Sequence, residues 1–434
     1  MSANAARPIR IGFLGFGTVG TGAYRMLQDN KAAIQRKVGL PLEVAKIGIK
    51  DAAKPRILPA DIFTTDLDAI VDDPSIDVIL ELIGGADPAA RLVERAIQNG
   101  KHVVTANKEL IAKNGSRLVH MARDRKLDLH FEAAVGGGIP LVQPLKHQLA
   151  GNDVIRMMGI LNGTTNYILT RMEEDGVDFA DALAEAQAKG YAETDPTNDV
   201  DGFDTSYKIA ILGSIAFGKQ VPMEGVYREG IRNVTATDIQ YADMLGYKIK
   251  LLGIIDALEE DCILARVHPT FIKKTHPMAT VSDVYNAVWL HGDFVGDVMF
   301  SGRGAGSDPT ASAVIGDLID VGRNIAGGGH GSAIPYDEGM RTATIDDLRS
   351  AYYLRLTVQD KPRVLGIIAT ELGDYDVSLA AMEMKTLGGG RGEIAFFTHI
   401  CREASFRAAL SALQGQESVE EVCSWFRVEE DPGR

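Results

Sequence analysis

The run Gly15-Phe16-Gly17-Thr18-Val19-Gly20 constrains this chain more than any other feature, because an apolar strand pattern (residues 9–14) leads into it and a helical pattern (18–30) leads out. In a strand–turn–helix of this kind each glycine has a separate task. The first permits the tight turn, the second lets the backbone approach a phosphate, and the third lets helix and strand pack closely. The helix start then presents free N–H groups and the positive end of its dipole to an anion. Gly15, Phe16, Gly17, Thr18, Val19 and Gly20 are therefore the candidate contacts of a dinucleotide cofactor.

The flanking sequence repeats the alternation, with strands at 42–49, 77–82 and 102–104 and a helix at 89–99. Strands alternating with helices predict a parallel sheet covered on both faces. The reading is a Rossmann-type domain over 1–145, to which a helix near 308–325 returns. The end of the second strand selects between cofactors, an acidic residue gripping a ribose hydroxyl and a basic one a 2′-phosphate. Here Ile49 is followed by Lys50 and Asp51, with Arg56 further on. Lys50 and Arg56 favour NADP; Asp51 keeps NAD open.

A length of 434 residues accommodates two or three domains at roughly 100–200 residues each. Residues 146–326 read as an α+β catalytic and dimerisation domain, with a strand at 154–158 and helices at 179–189, 205–217 and 237–252. A glycine-rich stretch, 327–347, reads as a linker. The last segment, 348–434, has strands at 352–358, 377–385, 393–400 and 421–428 and helices at 363–372 and 405–413. That βαββαβ order predicts a ferredoxin-like unit, separable from the catalytic parts by truncation near Asp347. The fold class is α/β.

The net charge of −14 argues against nucleic acid or an anionic membrane as partner. Three cysteines without CxxC spacing exclude a cysteine-built zinc site and fit a reducing cytoplasm. No run of about 18 apolar residues is present, so no membrane span is expected.

Two stretches carry candidate chemistry. Asn107 and Lys108 follow a strand of the parallel sheet, whose carboxyl edge faces the ligand crevice; taken alone, Lys108 reads better as a helix-start surface lysine. Residues 189–204 hold Glu193, Asp195, Asp199, Asp201 and Asp204 in a turn-rich segment before a helix carrying Lys208. Asp204 and Lys208 stand at i, i+4 and share a helix face. Carboxylates beside one lysine suit an amino-acid substrate, the carboxylates holding its ammonium and the lysine attending the reacting oxygen. The alternative is an exposed helix start with an ordinary surface ion pair.

The segments GFGTVG, ANKELIA, FEAAVGGGIP, LNGTTNYIL, GYAETDPTNDVDGFDTSYK and GRGAGSDPTASAV resemble, in order and spacing, the homoserine dehydrogenase family, and the terminal unit is similar to an ACT domain. The resemblance implies an NAD(P)-dependent oxidoreductase acting on the homoserine/aspartate semialdehyde pair in threonine, methionine and isoleucine biosynthesis. It implies Lys208 as principal acid/base with Lys108 at the reaction centre. Glu193 and Asp204, with Asp199 beside them, become substrate-binding carboxylates, and Gly304, Asn107 and Lys108 join the cofactor contacts. It further implies a sodium ion held by the Glu132 carboxylate and the carbonyls of Val135, Gly137 and Ile139, a homodimer or homotetramer, and threonine as effector. One departure weakens the last: Arg363 follows Pro362 where the ACT pattern carries glycine. The expectation is weak or absent threonine inhibition.

Overall fold

Strand β1 (Ile9–Leu14) is buried at every position from Ile11 onward rather than at alternate ones, with Ile11, Phe13 and Leu14 wholly buried. Such a strand needs cover on both faces, which a parallel sheet with crossover helices provides. It is the centre of a six-stranded sheet with β2 (Leu42–Gly48), β3 (Phe63–Thr64), β4 (Val78–Glu81), β5 (His102–Thr105) and β6 (Leu129–His130). The order is β3-β2-β1-β4-β5-β6 and every pair is parallel. Strand order reverses at β1/β4, which opens a crevice at the carboxyl ends. The distant helix Ser307–Ala326 closes one face, its Ala311, Val314, Ile315, Leu318 and Val321 joining Ile11, Phe13 and Ala23 in one core.

This computed structural model describes residues 7–54, 58–259, 261–331, 336, 337 and 339–429. Arg56 therefore lies outside the described residues, as do 332–335 and 338 of the expected linker. Contacts gather the chain into two units. One comprises Met1–Met157, Tyr207–Met223 and Asn286–Arg341; the other comprises Met158–Ser206, Glu224–Tyr285 and Thr342–Arg434. The expected middle domain is thus divided between them, and the C-terminal segment shares a unit with part of it. The described linker residues up to Arg341 belong to the first unit and are fastened to it, while 342–347 belong to the second. Gly331 N–H donates to Asp128 (2.6 Å), the carbonyl of Asp337 accepts from Gln220 N–H (2.7 Å), and Tyr336 is buried against Gly115.

In the second unit the helix expected over 237–252 stops early. Helix Ala236–Met244 is followed by Gly246 in the left-handed region (φ 83°) and then by strand Tyr247–Glu259, antiparallel to Cys262–Lys273. A glycine just past a helix end is a stop signal, and the apolar run after it, buried continuously from Ile249 to Ile255, is a strand rather than more helix.

The C-terminal βαββαβ segment forms as expected, with Val419–Glu429, Arg349–Gln359, Arg391–Thr398 and Leu379–Gly388 side by side in that order. Helices Val364–Asp374 and Glu403–Gln414 cover one face. The other face is buried too. Tyr353 stacks on Phe271 at 4.6 Å between ring centres, and Thr270, Phe271 and Ile272 pair in parallel with Arg427, Val428 and Glu429. Asp238, wholly buried, ties the assembly. One carboxylate oxygen closes the capping box with Thr235; the other accepts from Arg355 Nε (2.8 Å), Ser424 Oγ (2.5 Å) and Tyr353 OH (3.3 Å). Arg355 continues to Glu393, which accepts from Tyr241. Truncation near Asp347 would remove every one of Asp238's partners except its own cap and would expose the edge of Cys262–Lys273.

Removing one member of a buried ion pair costs about 3–5 kcal/mol, because the other charge is left without compensation. Asp238→Ala is expected to lower unfolding free energy by that amount in urea titration. A loss below about 1 kcal/mol contradicts the clamp.

Candidate active site

The crevice at the switch point is an open cavity of about 1530 Å³, lined by Gly15, Phe16, Gly17, Thr18, Lys50, Asp51, Lys54, Ile83, Gly84 and Ser307 among others. Pockets for drug-sized ligands run to roughly 300–1,000 Å³, so this larger cavity has room for a dinucleotide. Gly15 has φ 109°, and a Cβ there would stand 2.7 Å from the carbonyl oxygen of Leu82. A Cβ on Gly20 would stand 2.6 Å from the carbonyl oxygen of Gly15, whereas among the described residues nothing beyond its chain neighbours lies within 4 Å of one on Gly17. The helix starting at Thr18 is thus pressed against the turn while the Gly17 backbone stays open. Of the six turn residues, Val19 packs on the core and Gly20 is buried behind the turn; the other four line the cavity. Lys50 is exposed on the lining, and Lys54, not singled out by sequence reasoning, stands with it.

At the carboxyl ends of β4 and β5, Glu81 pairs in register with Thr105 and accepts its hydroxyl (2.5 Å) together with Ile83 N–H (2.9 Å). Thr105 Oγ1 in turn accepts from Asn107 N–H at 3.0 Å. The Asn107 side chain caps helix Lys108–Asp124, accepting from Leu110 N–H (3.0 Å) and donating to the carbonyls of Ile83 (3.1 Å) and Gly85 (2.7 Å). Asn107 therefore fixes where the helix begins, and with it half-buried Lys108. Complete burial pushes Glu81 up to about 7, desolvation outweighing its hydrogen bonds from Thr105, Ile83 and Asn107.

The acidic segment separates into structural and available groups. Asp195 accepts from Thr197 N–H within its own turn, and Asp201 is paired with Arg232. Asp199 and Asp204 share Asn162, whose amide donates to both, at 2.7 and 2.9 Å. The side-chain oxygen Oδ1 of Asn162 accepts from Thr165 N–H, capping helix Gly163–Asp175. Sequence reasoning quoted LNGTTN as a motif without assigning Asn162; an Asn immediately before a helix was the available signal. Asp204 and Lys208 lie one turn apart on helix Phe203–Phe217 and both are buried. Glu193 is exposed, its own carbonyl accepting from Gln187.

Glu132 stands just ahead of the glycine loop 136–138. Its buried carboxylate accepts from the N–H groups of Leu141 (2.6 Å), Val142 (2.9 Å) and Gln143 (2.7 Å) at the start of helix Val142–Lys146. Three of about four lone-pair sites are thus given to the chain itself. Burial, with Asp317 beside it, still raises its pKa. The loop after it contains Gly136 and Gly137 at positive φ, and Gly137 is packed backbone to backbone on Gly304. Among the described residues no group of His, Cys, Asp and Glu is arranged to hold a metal ion.

A parallel sheet in this order, with a glycine turn at its switch point and lysines on the cavity wall, defines a dinucleotide-binding protein. Residues 15–132 match the family model of the homoserine dehydrogenase NAD binding domain, 140–319 that of homoserine dehydrogenase, and 352–417 that of the ACT domain. A homoserine dehydrogenase from Synechocystis sp. is 44% identical over 97% of this chain and 99% of its own, and one from Bacillus subtilis 38% over 98% and 99%. The solved homoserine dehydrogenase from Thiobacillus denitrificans superposes with a TM-score of 0.92 at 40% identity, covering 98% of this chain and 99% of that one. A hyperthermophilic archaeal homoserine dehydrogenase, solved in complex with NADPH, covers 73% of this chain and 98% of its own with a TM-score of 0.63 at 26% identity. The chain belongs to the homoserine dehydrogenase family. It is an NAD(P)-dependent oxidoreductase with a C-terminal ACT domain.

Glu81 makes stability pH-dependent. Its folded pKa, about 7, exceeds the reference 4.5, so between these values the folded state binds more protons than the unfolded one. Stability therefore falls as pH rises through that window, by about 3 kcal/mol at 1.36 kcal/mol per unit. Glu81→Gln is expected to remove the fall, so that its advantage over the unaltered chain grows between pH 4 and 8 in urea titrations. A difference independent of pH contradicts the assignment.

Proposed function

We propose that this chain passes hydride between NADP and the homoserine/aspartate semialdehyde pair, with Lys208 as the proton carrier. The observation that carries this reading is the helix Phe203–Phe217, which buries a carboxylate and an ammonium one turn apart, with Asp204 tethered by Asn162. A charge pair removed from water in this way does little for stability, but it suits a substrate bearing both an ammonium and a hydroxyl. Bound nicotinamide supplies or accepts the hydride at the carbon. Lys208 gives a proton to the oxygen as the aldehyde is reduced and takes it back as the alcohol is oxidised. Glu193, Asp199 and Asp204 receive the substrate ammonium, and Lys108 stands at the reaction centre.

Lys50 and Lys54 on the cavity wall support NADP, since a 2′-phosphate needs cations there. Gly304 and Asn107 belong to the cofactor end of the site. A sodium ion fits the glycine loop, where the carbonyls of Val135, Gly137 and Ile139 would provide oxygen donors beside the Glu132 carboxylate. The ion would supply fixed positive charge at the cofactor site.

Threonine control is weak or absent in this reading. Arg363 adopts the left-handed conformation (φ 80°) that its glycine counterpart would favour, and it lines a surface groove with Gly366, Ile367, Thr370, Glu371 and Asp374. A homodimer or homotetramer is supported by strand Leu379–Gly388, an edge exposed along nearly its whole length with Met382, Met384 and Leu387 outward. The setting is cytoplasmic biosynthesis of threonine, methionine and isoleucine; no described helix is long and apolar enough to cross a membrane.

Steady-state kinetics with homoserine and either cofactor test this reading. Efficiency should be higher with NADP than with NAD, and Lys208→Ala and Lys108→Ala should each lower turnover at least about a hundredfold, the scale of positioned acid/base catalysis. Near-unaltered turnover by either folded variant removes that lysine from the mechanism.

A further inference from the structure

Asn286, the second residue of strand Tyr285–Gly292, is 1% exposed, and among the described residues neither its amide nitrogen nor its amide oxygen has a hydrogen-bond partner. A buried amide without partners is costly, whereas an apolar side chain of similar shape at the same place is nearly neutral. Most buried polar groups are satisfied, and an exception calls for a physical reason. The surroundings supply one.

The amide lies flat on Gly304: a Cβ added there would stand 2.2 Å from Asn286 Cγ and Nδ2. On the other side a Cβ on Gly137 would stand 2.6 Å from Gly304 C and O and 2.9 Å from Ala305 N. The Gly304–Ala305 peptide is thus held between the Asn286 amide and the Gly137 backbone, and Gly138 N–H donates to the Arg303 carbonyl at 3.1 Å. Beyond it, Ala305 and Gly306 are exposed, and Gly306 (φ 118°) turns the chain into helix Ser307–Ala326. Ser307 lines the dinucleotide cavity and donates its hydroxyl to the Thr18 carbonyl at 3.0 Å. The short segment 303–307 therefore runs from the unsatisfied amide to the wall of the cavity.

We infer that Asn286 is a positioning residue of the cofactor site, whose amide pairs with the 303–307 backbone when a dinucleotide fills the cavity and fixes that segment against it. The inference rests on the reading that this cavity binds the nicotinamide dinucleotide. It requires no contact between Asn286 and the cofactor: the amide acts through the Gly304–Ala305 peptide. The glycines at 137 and 304 leave that peptide room to settle, because neither carries a side chain that would wedge it.

The test compares NADPH affinity of the full-length protein with that of Asn286→Leu and Asn286→Ala, each followed by calorimetry and by melting with and without NADPH. Both variants lack the amide, one keeping its bulk and the other not, so a packing defect peculiar to either is recognised. The expected result is a roughly tenfold weaker NADPH dissociation constant in both, the worth of about one hydrogen bond, and a smaller NADPH-induced rise in melting temperature. The ligand-free Asn286→Leu protein should melt no lower than the unaltered one. Unchanged NADPH affinity in either folded variant overturns the inference. Failure of the unaltered protein to bind NADPH overturns instead the cavity assignment on which the inference rests.

Discussion

Six parallel strands must be covered on both faces, and most of the first unit follows from meeting that requirement. Helix Ser307–Ala326 returns from far along the chain because the core around Ile11 and Phe13 needs its apolar face. Once both faces are closed, the carboxyl edge of the sheet is where backbone ends and polar side chains can meet a ligand. Gly15 after β1, Ile83 and Gly84 after β4, and Asn107 after β5 all lie on that edge. Glu81 shows the tension of the arrangement, since a carboxyl group wholly buried there is held near pH 7 by desolvation while its hydrogen bonds set the start of the Lys108 helix.

The second unit solves a different problem. A ferredoxin-like sheet with helices on one face leaves its other face uncovered, and here that face is covered within the same unit by aromatic stacking on Phe271 and by helix Ala236–Met244. Asp238 serves helix capping and inter-strand pairing at once, so the ACT domain is built into its unit rather than appended to it.

The strand–turn–helix around Gly15 and the βαββαβ order were legible because both depend on local pattern. Helix 237–252 was misread because an apolar run buried on all sides has no distinguishing period, and the stop at Gly246 was outweighed. Asp238, and the tethering of Asp204 by Asn162, were illegible for another reason. Their partners lie far away in sequence, Asp238 from Arg355 by 117 residues and from Ser424 by 186, and Asn162 from Asp204 by 42. Nothing local distinguishes a polar residue that will be buried among such partners from one that will face water. Nor does anything local to Glu132 announce that its carboxylate accepts three N–H groups at a helix start nine to eleven residues on.

The account stands on Lys208 acting as the proton carrier rather than as a counter-charge for Asp204. Chemical rescue separates these roles. Small primary amines of graded basicity, added to Lys208→Ala during homoserine oxidation, can replace a lost proton acceptor but not a helix-anchored charge. The account predicts that turnover rises with amine concentration and increases with amine basicity in Lys208→Ala, with no comparable rescue in Lys108→Ala. Rescue confined to Lys108→Ala, or restored turnover indifferent to amine basicity, would contradict it.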